Sequence, residues 1–110
     1  MSGDGVDACM VMTTCGNTQE AEAIAAHLLA NKLAACIQVA GITSHFVWEG
    51  KRTTEEERLL LIKTRLALYP KVEAAILALH KYEVPEVTCV ALRGGSPSYL
   101  GWIANVTSEP

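Results

Sequence analysis

Between Leu33 and Thr64 the chain reads as one long excursion with a single tight turn at its far end. Leu33 to Val39 reads as an apolar strand, and Thr43 to Trp48 continues it extended with β-branched and aromatic residues. Glu49-Gly50 then supplies a two-residue turn of the kind that joins paired strands. The return is polar through Lys51-Arg52-Thr53-Thr54 and apolar through Leu59-Leu60-Leu61-Ile62, so its second half is expected to be covered and its first half to project. Gly41 interrupts the outgoing arm and is expected to mark a bend or bulge. Each arm comes to roughly 14 residues, where an ordinary strand has five or six, so the tip should extend beyond its own domain. An unpaired edge of that length invites a strand from a neighbour.

The flanking segments fix what the hairpin belongs to. Ala8 to Thr14 alternates and is rich in Val, Met and Thr, which predicts a first strand ending at Cys15-Gly16-Asn17. Asn17 with Glu20 forms a helix-start pair, and Ala21, Ile24, Ala25 and Leu28 recur at helical spacing as far as Asn31, a C-terminal cap. Pro70 suits a first helical turn, and Val72, Ile76 and Leu79 mark a second amphipathic helix. Val87 to Leu92 predicts a fourth strand. Ser96-Pro97 caps a short closing helix carrying Tyr99, Leu100, Trp102 and Ile103. The order strand, helix, strand, strand, helix, strand predicts an α+β, ferredoxin-like βαββαβ domain over 8–107 with a long central hairpin. Residues 1–7 and 108–110 read as tails, the first of them flexible.

Composition narrows the function classes. Half of the 110 residues are apolar and only 19% are charged, which predicts an apolar patch left over after folding and hence symmetric self-association. A net charge of −3 argues against nucleic acid, whose binders carry a basic footprint. The Leu-Leu-Leu-Ile run likewise lacks the aromatics on which an RNA-recognition sheet stacks bases. No apolar run approaches the ~20 residues of a membrane span, and Met1-Ser2-Gly3-Asp4-Gly5 lacks the charge and apolar core of a signal peptide, so a cytoplasmic location is expected. Cys9, Cys15, Cys36 and Cys89 have no C-x-x-C spacing, which disfavours disulfides and structural zinc.

Candidate binding groups concentrate in Leu79-His80-Lys81-Tyr82-Glu83-Val84-Pro85-Glu86-Val87. Pro85 forces Val84 toward an extended backbone, so the preceding helix must end near His80 or Lys81 and the polar side chains project from a connection held at both ends. The plain alternative makes Glu83 and Glu86 solvated charges and His80 a cation matched to a helix dipole. Lys63, closing an apolar strand, is either a solvated strand end or a cation for an anionic ligand. Trp48 and Trp102 are packing residues or ligand platforms. Cys15, at a strand exit before a helix, is either a structural thiol or one with a lowered pKa.

Six blocks in order carry a resemblance. Thr13-Thr14-Cys15, Lys32-Leu33-Ala34-Ala35-Cys36, Trp48-Glu49-Gly50-Lys51, Ile62-Lys63-Thr64, His80-Lys81-Tyr82-Glu83-Val84-Pro85-Glu86 and Tyr99-Leu100-Gly101-Trp102-Ile103 together resemble the CutA divalent-cation tolerance proteins. The resemblance implies a homotrimer of ferredoxin-like subunits, related in architecture to PII signalling proteins, with a cytoplasmic role linked to copper tolerance. Trp48, Lys63, Tyr82 and Glu83 are then expected to line a cleft between subunits, with Trp102 supporting its wall. No cofactor is required. Cu(II) or another divalent cation is expected to bind weakly at most, through His80 and Glu83. Lys81 stands where the family usually has a proline, as does Gly16, and Met12-Thr13 occupies the segment where some relatives place a cysteine proposed as a copper ligand. Three classes follow: a trimeric, non-enzymatic module binding a small molecule or metal ion, a thiol or acid/base enzyme built on Cys15, His80 and Glu83, and a ligand-free assembly protein. The first is favoured. The sequence names no partner protein.

Overall fold

Residues 7–107 are described by a computed structural model; apart from Asp7, the expected tails lie outside the described residues. The elements are β1 (Ala8–Cys15), α1 (Thr18–Ala30), β2 (Cys36–Trp48), β3 (Lys51–Arg65), a 3-10 turn (Leu66–Leu68), α2 (Tyr69–Leu79), β4 (Val87–Ala91) and α3 (Pro97–Val106). The strands form one sheet in the order β2-β3-β1-β4, and every neighbouring pair is antiparallel. Among the described residues no helix is long and apolar enough to cross a membrane.

The expected start and stop signals are in place. Asn17 Oδ1 accepts the Glu20 N–H at 2.9 Å, and Asn17 Nδ2 donates to Glu20 Oε2, so the pair opens α1 reciprocally. Ser96 Oγ accepts the Tyr99 N–H, with Pro97 as the first residue of α3. Glu49 and Gly50 both have positive φ, 51° and 79°, the backbone a two-residue hairpin turn demands.

Two expectations are corrected. Leu33 does not begin a strand. α1 ends with Lys32 in the left-handed region at φ 57°, the Lys32 N–H bonded to Leu29 O and the Leu33 N–H to Leu28 O. This is a Schellman end, with Leu33 folded back beside the core that contains Leu28, so β2 begins only at Cys36. Gly41 makes no bulge either, because the β2–β3 register runs unbroken from Cys36↔Lys63 through Gly41↔Arg58 to Trp48↔Lys51. The glycine answers a different need. A Cβ there would stand 2.5 Å from Arg58 Nη1, so the guanidinium lies across a bare backbone.

Alternation along the strands separates two sheet faces. Cys9 and Val11 of β1, with Leu60 and Ile62 of β3, point to the helices and pack on Ile24 and Leu28 of α1 and Val72 and Ile76 of α2. The opposite face carries Met10, Met12, Leu59 and Leu61, all half-buried, with exposed Ala40 and Val90. α3 covers one end of that face: Arg65 donates to Ala104 O at 2.6 Å and to Thr107 Oγ1 at 2.9 Å. The rest of it has no cover among the described residues.

β1 stops at Cys15, opposite Arg58, while the hairpin runs on for seven further pairs from Ile42↔Glu57 to Trp48↔Lys51. At about 3.3 Å per residue this overhang is roughly 23 Å long. The radius of gyration, 14.7 Å, accordingly exceeds the value of about 13 Å for a compact chain of this length.

Candidate functional site

The connection from α2 to β4 fills the step left where β1 ends. α2 closes with the His80 N–H on Ile76 O, after which His80 turns extended. Its ring then ties the connection to β1: Nε2 donates to Thr14 O at 2.6 Å, and Nδ1 accepts the Tyr82 N–H at 3.1 Å. A carbonyl oxygen only accepts, so the proton sits on Nε2 and the lone pair on Nδ1 is used. The His80 and Tyr82 rings lie 4.8 Å apart, and Tyr82 passes close over Gly16, where a Cβ would rest 3.5 Å from its hydroxyl. The connection is therefore fixed by His80 and Tyr82.

Tyr82 reaches across to the hairpin. Its hydroxyl donates to Glu57 Oε2 at 2.7 Å, and Glu57 is only 8% exposed although it stands on the projecting half of β3. Burial, followed by the bond to Glu57 and its charge, raises the Tyr82 pKa well above the ordinary phenol value. Between this contact and the hairpin lies a groove of about 330 Å³, lined by Phe46 and Trp48 of β2, Glu55 and Glu57 of β3, and Tyr82 and Glu83 of the connection.

Three expected residues, Trp48, Tyr82 and Glu83, thus share one groove within a single chain. Lys63 does not join them. It pairs with Met10, four positions along β1 from the Thr14 that holds His80, and its Nζ donates to Gln38 Oε1. Trp102 stands on α3, its ring 5.6 Å from Tyr99, at the opposite end of the sheet. Phe46, Glu55 and Glu57 escaped the sequence reading. The β3 alternation that puts Thr53, Glu55 and Glu57 on one face, opposite Phe46 and Ile42, was the signal that could have found them.

The residues present do not fit a dedicated divalent metal. Both ring nitrogens of His80 are already engaged, so a metal would have to displace the Thr14 or Tyr82 contact. Thr13 is fully buried on the helix side, its Oγ1 unpartnered among the described residues. Among those residues no group of three or more His, Cys, Asp or Glu side chains converges as a metal cage would require.

The thiols behave as packing groups. Cys15 is buried and donates to Asn17 O at 3.7 Å, and burial, then the charge of Glu20, raises its pKa, the opposite of the lowering a reactive thiol needs. Burial and a hydrogen bond with Cys89 push Cys9 up to about 12. All four cysteines are free.

Residues 9–106 match the family described as CutA1 divalent ion tolerance protein. A chloroplastic CutA 1 protein of Oryza sativa is 39% identical over 105 residues, 94% of this chain. The chain spans 59% of that relative's length. The divalent-cation tolerance protein CutA of Thermus thermophilus is 35% identical over 99 residues, covering 89% of this chain and 96% of its own. The crystal structure of CutA1 from Oryza sativa superimposes with a TM-score of 0.92 at 39% identity, over 96% of this chain and 97% of that one.

Proposed function

The chain belongs to the CutA1 divalent ion tolerance family, and from that premise we propose that it acts as a homotrimeric binding protein rather than an enzyme, with a role in divalent-cation tolerance. The strand order β4-β1-β3-β2, antiparallel throughout, supports a ferredoxin-like subunit of the kind found in PII-like trimers.

One observation carries the reading: among the described residues the sheet face bearing Met10, Met12, Leu59 and Leu61 lacks cover over most of its area, and the hairpin overhangs it at one end. A lone subunit would leave this apolar face in water. Three copies arranged about an axis bury it, and each hairpin then reaches a neighbour, where its groove becomes a cleft at a subunit boundary. In that arrangement the groove takes a small polar ligand, and Lys63 and Trp102 do not line the part of it that a single chain builds. Copper binding is weak and adventitious, since a metal competes with the two hydrogen bonds of His80. Four free cysteines suit a reducing compartment, and the cytoplasm is the proposed location.

Light scattering at micromolar concentration tests the assembly. A mass of three chains is expected, and a monomer would refute the proposal. Calorimetry with Cu(II) on the wild type and His80→Ala tests the metal. Submicromolar affinity lost in the variant would overturn the weak-binding view.

A further inference from the structure

The groove beside Tyr82 carries a charge pattern that names a ligand class, on the reading above that this groove is the ligand site. Glu55, Glu57 and Glu83 line it, and none of its described lining residues is cationic. Lys63, the cation that the sequence offered for an anion, sits elsewhere in the chain. Between the carboxylates stand the rings of Phe46, Trp48 and Tyr82 and the side chain of Val84. Glu57 is the pivotal group: more than nine-tenths buried, it receives one hydrogen bond, from the Tyr82 hydroxyl to Oε2. No donor among the described residues reaches its other oxygen, which is not buried and so stays open to a donor entering the groove.

We infer that the groove binds a small organic cation, an alkyl- or arylammonium ion whose N–H groups meet Glu57 and its neighbouring carboxylates while its apolar body lies on Phe46 and Trp48. A bare divalent ion fits less well, because the carboxylates border an aromatic surface and do not converge into a cage among the described residues. A quaternary ammonium would gain the ring attraction but bring Glu57 no donor. The groove's 330 Å³ sits at the lower end of small-molecule pockets, which suits a ligand of modest size.

The test compares 2-phenylethylammonium chloride with 2-phenylethanol, the same skeleton with the ammonium replaced by a hydroxyl. Binding is followed by calorimetry and by tryptophan fluorescence on the full chain at low ionic strength. The ammonium should bind saturably and at least tenfold more tightly than the alcohol, and Glu57→Gln, which keeps an acceptor for Tyr82, should weaken it at least tenfold. Glu83→Gln, on an exposed connection where folding is not at risk, should weaken it by a smaller factor. Equal affinity for the two probes, lost together in Trp48→Ala, would overturn the cation assignment and leave the groove a ligand site. An intact trimer by light scattering that binds neither probe at millimolar concentration would overturn the inference while leaving the assembly standing. Binding that emerges only once the trimer is dissociated would also overturn it, by showing that a cationic side chain of a second copy fills the groove.

Discussion

The two halves of the β2–β3 hairpin share a register, a backbone and an unbroken ladder of hydrogen bonds, yet their side chains do different work. In the inner half, Leu60 and Ile62 are fully buried beneath the helices. In the outer half, Val47 is 70% exposed and Trp48 40%, while Thr43 with Glu56 and His45 with Thr54 make exposed cross-strand hydrogen bonds. The exception is Glu57, the first outer position beyond the end of β1 and the only buried acidic side chain among the described residues. Strand pairing therefore sets where side chains stand, and what covers them sets whether they stabilise the fold or remain free for a ligand. Glu57 sits at the changeover, covered by a connection instead of a helix.

The sharpest way to break the comparison is to truncate one apolar residue in each half. Leu60→Ala should destabilise the subunit by about 2–5 kcal/mol, the usual cost of a buried leucine, and Val47→Ala by less than about 0.5 kcal/mol, both measured by denaturant unfolding. Similar losses from the two would erase the distinction. Next in size is the changeover itself. Tyr82→Phe removes the only donor on Glu57 among the described residues and should cost about 1–3 kcal/mol, with a double-mutant cycle against Glu57→Gln assigning the coupling to that contact.

The smallest effect is invisible at neutral pH. Burial, then the bond to Glu73, raises the Tyr69 pKa to about 12, and Tyr82 is raised as well. The unfolded phenols ionise near pH 10, while the folded ones stay neutral. The folded pKa values being the higher, their stabilisation is complete below about pH 10 and is lost as pH climbs through the folded values, until it is gone for Tyr69 above about 12. Phenolate absorbance followed alongside circular dichroism should show ionisation of these two tyrosines lagging that of Tyr99, whose pKa is raised less far, and coinciding with loss of structure. Full ionisation near pH 10 with the fold intact would remove the claim.

What the sequence made legible were features set by neighbours along the chain. Asn17 with Glu20, Ser96 with Pro97, and Glu49 with Gly50 each specify a local backbone geometry, and each stands where it was read. The misreadings have tertiary causes. The Asn31 cap of α1 was read correctly, but Lys32 takes a left-handed conformation usually given to glycine, so the turn after it was hidden and Leu33 passed for a strand residue. Gly41 owes its identity to a guanidinium from the partner strand, which no local pattern announces. At the candidate site, the connection through His80 and Tyr82 was visible because Pro85 marks it. The burial of Glu57 was not, since it arises from a tyrosine far along the chain closing over an otherwise solvated strand.

The antiparallel placement of β1 between β3 and β4 also constrains the order in which the protein can be made. Synthesis delivers β1 early, but its partners come late: Cys15 faces Arg58, and Cys9 faces both Thr64 and Ala91. The hairpin, by contrast, closes on residues that leave the ribosome almost together. Throughout elongation the strand that will become the centre of the sheet must wait, its Met10, Val11 and Met12 unpaired until β3 has emerged and paired on one edge only until β4 follows.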